Sequence, residues 1–448
     1  MSQLPRPEVA DAHPWAFPEP HEFSLGNGAR VWLYDLPGQH VISAQVVLDV
    51  PVSCEPAALE GLATIAVRTS DEGSIDHPGA ELAELVEGLG AIYSGAATQS
   101  STICHLEVPS TRLSGSLGLL AEIITRPAHD PADVERQVAL RLAQIEQSMA
   151  RSSSVVQLAF QRAVFGPGCR EGRPTAGRMA TVAEIGRDDV VAFHQRWWRP
   201  DGATIILAGA LPTDADRLVT DAFEGWLPSG ERAFHEQPRP NPAGPQIWVV
   251  DRPGAVQADI QIGMVTPDRH DPRWAALEVA ACAVGGSFAS RLNTVLREEL
   301  GYTYGAHAGF RPLRGASTFV VRTSCRTEVA AAATAEALRL LDVAAAPFNA
   351  DEIADARTYL LGVAPLHFQT ADAIADQAST LAGAGMPATW VNTHQRQVAA
   401  VSTEQVNRAF AEVVRPAQLS VVLCGDAGRL LNDLTSVGLE AEVVELEA

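Results

Sequence analysis

Ala203-Thr-Ile-Ile-Leu-Ala-Gly209 and Gln418-Leu-Ser-Val-Val-Leu-Cys-Gly425 read as one short buried strand written twice, each a mainly apolar run stopped by glycine. The segments leading into the two runs are also alike. A unit of roughly 210 residues repeated once points to a duplicated domain, because solenoid repeats are far shorter.

In the first copy, Asn27-Gly28 lies between the strand-like runs of Phe23 to Tyr34, a tight hairpin signal. A strand over Val41 to Val50 follows, then a helix over 57–69 and another from Pro78 to Leu89. Strands are expected at Ala91 to Thr98 and Thr102 to Val108. Leu113, Leu117, Leu120 and Ile124, then Val134, Val138, Leu142 and Ile145, recur at helical spacing. Residues 228–246 hold five prolines and little periodic apolar content, which makes them a stiff linker. Beyond it come strands Ile247 to Asp251 and Ala258 to Val265, helices Pro272 to Val284 and Ser287 to Leu300, and strands Tyr304 to Phe310 and Ser317 to Thr323. Helices near 328–343, 350–364 and 371–383 complete the second copy. The expected fold is α+β: homologous domains over 1–227 and 247–448, each with helices packed on a mostly antiparallel sheet.

The chain has 448 residues, 46% of them hydrophobic and 19% charged, so it is long enough for well-buried cores and is not a disordered polymer. Thirty-three Lys and Arg against fifty-four Asp and Glu leave a formal charge of −21. A field of that sign argues against nucleic acid and anionic membrane as partners and favours neutral or cationic polypeptides. The six cysteines are spread singly, with no Cys-x-x-Cys pair to suggest a zinc ribbon or a redox site. Met1 to Glu8 has no apolar signal region, and no apolar run reaches the roughly 18 residues that a membrane span needs. The expectation is a soluble cytoplasmic protein.

Several ordered stretches carry a family resemblance. They are Asn27-Gly-Ala-Arg-Val31, Gly61-Leu-Ala-Thr-Ile-Ala-Val-Arg-Thr-Ser-Asp-Glu-Gly73, Phe193-His-Gln-Arg-Trp-Trp-Arg-Pro-Asp201, and the run from Ala276 through Gly285-Gly286 and Leu296-Arg-Glu-Glu-Leu-Gly-Tyr-Thr-Tyr-Gly305. Together they resemble the pitrilysin-like, or M16, zinc peptidases. In active members Gly-Leu-Ala opens the inverted motif His-x-x-Glu-His, whose imidazoles hold Zn²⁺ and whose glutamate takes a proton from bound water. Here the three positions are Thr64, Val67 and Arg68. A guanidinium has no lone pair to offer and keeps its charge, so Arg68 repels a cation where a histidine would bind it. Counting forward from Arg68 to the family's third ligand, a glutamate, lands near Gln144, where only Glu146 is acidic. Elsewhere His105 and Glu107 alternate on one face of an expected strand, the only local pair with ligand-like spacing, and read best as ordinary strand residues. Trp197-Trp198 reads as a core anchor, and Gly285-Gly286 as a tight turn with no Lys-Ser or Lys-Thr to make a phosphate loop.

The second copy keeps what the resemblance assigns to it. Leu296, Arg297, Glu298, Gly301 and Tyr304 match the family pattern in which an Arg and a Tyr face the zinc site across a closed chamber. There a guanidinium and a phenol hold the peptide backbone and the developing oxyanion. The resemblance therefore implies a non-catalytic subunit, half of a clam shell. It would lend Arg297 and Tyr304 to a homologous chain with an intact His-x-x-Glu-His, bind peptide, hold no metal itself and form a possible homodimer when isolated. No independent activity is expected. A purely structural or binding protein, and a zinc hydrolase with other ligands, are the competing readings.

Overall fold

Residues 15–446 are described by a computed structural model, and the signal reading of Met1 to Glu8 lies outside them. The first sheet is built from β1 (His21–Ser24), β2 (Arg30–Asp35), β3 (Val41–Leu48), β4 (Ile92–Ala97), β5 (Thr102–Pro109) and β6 (Thr204–Gly209), in the order β1-β2-β6-β3-β5-β4. The second holds β7 (Ile247–Asp251), β8 (Gln257–Thr266), β9 (Thr303–Pro312), β10 (Ser317–Arg326), β11 (Ser420–Gly425) and β12 (Glu442–Val443), in the order β12-β7-β11-β8-β10-β9. Five strands of each sheet follow the same order, β2-β6-β3-β5-β4 matching β7-β11-β8-β10-β9. Only the sixth differs, an antiparallel hairpin partner in one sheet and a parallel strand from the chain's end in the other. Four of five pairings are antiparallel in the first sheet and three of five in the second, so both are mixed sheets with an antiparallel majority. The repeated buried runs are β6 and β11, and every residue in both is buried.

The β1–β2 turn forms where the sequence places it. Gly28 has φ +92°, the left-handed region that favours glycine, and Asn27 Nδ2 donates to the carbonyls of Phe223 and Trp226 at 2.8 and 3.0 Å. All six cysteines are free, and Cys104, Cys282, Cys325 and Cys424 are buried as small hydrophobes.

The helices that matter for function are α1 (Leu62–Arg68), α2 (Pro131–Met149), α3 (Ser152–Phe165), α4 (Trp274–Ala281), α5 (Ala350–His367), α6 (Ala371–Gly383) and α7 (Trp390–Ala400). Two of them cross between the repeats. Although α3 belongs to the first copy, Val155, Val156, Ala159, Phe160 and Ala163 pack on Val250, Val320, Val422 and Cys424 of the second sheet. Gly263 on β8 admits this contact, since a Cβ there would lie 2.9 Å from Phe160 Cζ. In return α6 lays Ala371, Ile374, Ala375 and Ala378 on Trp32, Tyr34, Val47 and Ile206 of the first sheet. The apolar spacing i, i+3, i+4, i+7 makes that face. Buried Gln45 fixes its register by donating to Asp376 at 2.7 Å and accepting from the Ser379 hydroxyl. Asp49 adds a second tie, meeting His235 at 2.7 Å and Arg314 at 2.6 Å. Burial alone would raise its carboxyl, but those two partners outweigh burial and hold it below the usual range.

The expected helix over 57–69 is interrupted. A 3-10 turn, Ala57–Leu59, is separated from α1 by Glu60 and Gly61, and Gly61 has φ +107° and a Cβ position that would meet Val182 Cγ2 at 2.8 Å. Glu55 caps the start of α1, accepting from the backbone of Gly61 and Ala63 at 3.1 and 2.8 Å while Arg170 donates to its other oxygen at 2.9 Å.

Candidate functional site

α1 presents Thr64 and Arg68 on one face, one turn apart, both half-buried, and turns Val67 inward at 3% exposed. Val67 seals the place where an active peptidase of the resembled family would carry its glutamate. The methyl Cγ1 of Val67 lies so close to β4 that a Cβ on Gly95 would sit only 2.5 Å away. Just beyond, the Ser70 hydroxyl and Tyr93 Oη hydrogen-bond at 3.1 Å, and burial lifts the neighbouring Asp71 carboxyl to about 6. Arg68 has no hydrogen-bond or ion-pair partner among the described residues. Burial holds its guanidinium below the ordinary arginine range.

Arg141, on α2, is the residue that sequence counting missed. Burial first, and then the adjacent Arg68, lower its guanidinium, whose Nε donates to the carbonyl of Ala176 at 2.9 Å. The signal was helical phase: Leu142 and Ile145 face the core, which places Arg141 and not exposed Glu146 beside α1. A hydroxyl, an isopropyl group and two guanidiniums do not fit Zn²⁺, because they supply no imidazole or carboxylate and surround the position with positive charge.

His105 and Glu107 share a face of β5, and the exchanged helix α6 adds Asp372, so that one potential ligand atom from each lies within 4.8 Å of the others. His105 Nε2 is 2.9 Å from the Ser43 hydroxyl and 3.2 Å from Asp372 Oδ1. These contacts already account for His105 as a polar tie between β5 and α6. Trp198 is 1% exposed and anchored in the first core. Gly285 serves close packing, since its Cβ would meet Ala308 N at 2.7 Å.

The segment carrying Arg297 and Tyr304 is held rigidly at its base. The expected helix Ser287 to Leu300 is instead a bend followed by a π-helical segment, Asn293–Glu299. Buried Asn293 ties this segment to β9: its Nδ2 donates to the carbonyls of Ser287 and Ala306 at 3.1 and 3.0 Å, and its Oδ1 accepts from the Ala306 backbone at 2.9 Å. Gly301 then turns the chain with φ +61°. Arg297 lies over the exposed ring of Phe288, 4.2 Å to the centroid, with Glu298 Oε1 3.4 Å from its Nε. Both contacts are local and leave the guanidinium a third exposed.

Tyr304 is 97% exposed, and β9 is the outer strand of its sheet. Its exposure has a backbone cause. β10 pairs Thr323 with Ala306 and then Cys325 with Thr303, so β9 carries an extra residue there as a bulge containing Tyr304 and Gly305. Hydroxyls replace the broken ladder: Thr323 Oγ1 donates to the Gly305 carbonyl at 3.0 Å, and Thr303 Oγ1 accepts from the Gly305 backbone at 3.1 Å. Phe288, Leu300 and Tyr304 are the exposed large hydrophobic side chains of this segment. Among the described residues, no hydrogen bond or ion pair joins Arg297 or Tyr304 to the α1 residues.

Family models match both copies: residues 30–170 match the one described as Insulinase (Peptidase family M16), and 184–360 the one described as Peptidase M16 inactive domain. An uncharacterized zinc protease of Mycobacterium tuberculosis is 28% identical over 335 residues, 72% of this chain and 74% of that protein. One of Streptomyces coelicolor is 22% identical over 313 residues, 68% of this chain and 67% of that protein. Among solved structures, a peptidase M16 inactive domain from Pseudomonas fluorescens matches with TM-score 0.84 at 21% identity, covering 95% of this chain and all of that one. A protease from Helicobacter pylori matches with TM-score 0.81 at 16% identity, covering 91% of this chain and all of that one. Both likenesses establish the fold. No helix among the described residues is long and apolar enough to cross a membrane.

Proposed function

Because the chain belongs to the M16 peptidase family and lacks that family's zinc-binding set, we propose that it is the non-catalytic, substrate-binding subunit of a heteromeric zinc peptidase. In this reading a homologous chain with an intact His-x-x-Glu-His holds the zinc, and the two chains enclose a chamber that admits only small or unfolded peptides. The observation that carries the reading is the bulge that turns Tyr304 outward, on the same segment as the partly exposed Arg297. Bulges of this kind re-aim side chains next to active sites, and Arg297 is held only by the neighbouring Phe288 ring and Glu298. Arg297 can donate two hydrogen bonds and Tyr304 one, which suits a peptide carbonyl whose oxygen gains charge during attack. The exposed apolar rings of Phe288 and Tyr304 supply contact area for a partner or peptide.

The test is co-expression with a homologous chain bearing the intact motif, then peptide turnover by each chain and by the mixture. Activity confined to the mixture supports the reading. Chelator-sensitive turnover by this chain alone contradicts it, and a stable pair without turnover favours a purely structural role.

A further inference from the structure

A cavity of about 270 Å³ lies in the second copy, walled by α4, α5, α6, α7 and the loop after β8. In the repeat, α4 and α5 occupy the places of α1 and α2. One contribution to the opening is Pro365 inside α5, which cannot donate the hydrogen bond that would close on the Leu361 carbonyl.

Arg269, Glu278 and His394 meet there, with His367 also on the wall. His394 is 8% exposed, its Nε2 hydrogen-bonds to Glu278 Oε2, and its ring stacks on Trp390 at 4.5 Å between centroids. The other ring nitrogen, Nδ1, is buried without a partner. Arg269 sits 5.2 Å from the centroid of Trp390, with its Nε and one terminal nitrogen also buried and unpartnered. Burial would raise the Glu278 carboxyl, but the hydrogen bond from His394, with Arg269 nearby, holds it below its ordinary value. Glu278 is thereby matched to His394, and the Nε and one terminal nitrogen of Arg269 are left as donors that have lost water and gained no hydrogen bond. The remaining wall is mainly apolar, with Leu361, Ala364 and Phe368 among its members, and His367, Gln377 and Gln395 add polar groups to it. Such a wall does not solvate a hydrated, multiply charged phosphate, but it accepts a hydrocarbon group attached to a single carboxylate.

We propose that this cavity binds a carboxylate borne on a flat or branched apolar group, with Arg269 gripping the carboxylate and the apolar body lying against Trp390 and Phe368. A free aromatic acid and the C-terminal residue of an apolar peptide share that chemistry. The site is separate from Arg297 and Tyr304 and does not rest on the peptidase reading.

Isothermal titration of the full chain with phenylacetate, N-acetylphenylalanine and phenylacetamide tests it. We expect saturable binding of an acid at one per chain, with the neutral amide weaker by about tenfold or more because the charge-assisted hydrogen bonds are lost. Tighter binding of N-acetylphenylalanine than of phenylacetate identifies a peptide end, and the reverse order identifies a free acid. Arg269→Gln should weaken the acid by about tenfold or more. Ala364→Phe, which fills the cavity and keeps Arg269, Glu278 and His394, should abolish binding and decides the matter if Arg269→Gln fails to fold. No saturation by either acid, equal affinity for the amide, or undiminished binding by a folded Ala364→Phe variant overturns the proposal.

Discussion

Replacing Gly95 with alanine tests whether the altered motif is a packed interior and not an empty metal site. The new Cβ would lie 2.5 Å from Val67 Cγ1 and 3.3 Å from the Ile103 carbonyl, and real Cβ contacts do not come closer than about 3 Å. Val67 is 3% exposed and β-branched, so it cannot swing its methyl clear without leaving its rotamer. Overpacking of this kind costs about 1–3 kcal/mol. Val67→Ala alone removes about two buried methyl groups, worth about 0.8 kcal/mol each before the cavity term, or about 2 kcal/mol in all. In the double variant the added methyl enters the space that the valine has vacated. Its cost should therefore fall below the sum of the single costs by about 1–2 kcal/mol. Urea midpoints followed by fluorescence, with constant m-values, give the three free energies. Additivity within about 0.5 kcal/mol would show that Val67 and Gly95 do not press on each other, and would refute the filled cleft.

Restoring the motif as Thr64→His/Val67→Glu/Arg68→His should not yield one firmly held zinc per chain after dialysis, because Arg141 stays in place and the new carboxylate is packed against Gly95; metal analysis showing stoichiometric zinc would falsify this. Glu55→Ala should destabilise the chain by about 3 kcal/mol, since it uncaps α1 and strips buried Arg170 of its closest carboxylate, and an unchanged urea midpoint would count against that role. Stability should fall with pH between about 6.5 and 4. Burial lowers His194 to about 4 and His129 to about 3, so the unfolded chain binds more protons at those two sites, while Asp71, raised to about 6, contributes in the opposite sense. Near pH 5 the two histidines outweigh the one carboxyl by about one proton, a slope of about 1.4 kcal/mol per pH unit from these three groups. His194→Gln should remove about one proton of that slope, and a pH profile identical to that of the unmodified chain would discount the histidine.

Much of the fold was legible because its signals are local. Asn27-Gly28 states its turn, and β6 and β11 state their burial through continuous apolar runs. Helix exchange was not legible: the apolar faces of α3 and α6 specify that a sheet covers them but not which sheet. Thr64, Val67 and Arg68 revealed the loss of ligands, whereas the closure of the space depends on Gly95, some thirty residues away in the chain. Likewise the sequence offers Tyr304 between threonine and glycine, but only the register of β9 on β10 explains why its ring points into solvent.

The central claim is that Arg297 and Tyr304 serve a reaction at another chain's metal. The direct measurement is kcat for peptide cleavage by the pair of chains, comparing the unmodified subunit with Arg297→Ala/Tyr304→Phe at equal, verified assembly. Removing transition-state donors typically costs 10²–10³ in kcat. A fall of about a hundredfold or more with the pair still assembled is the expected result, and an unchanged kcat would contradict the account.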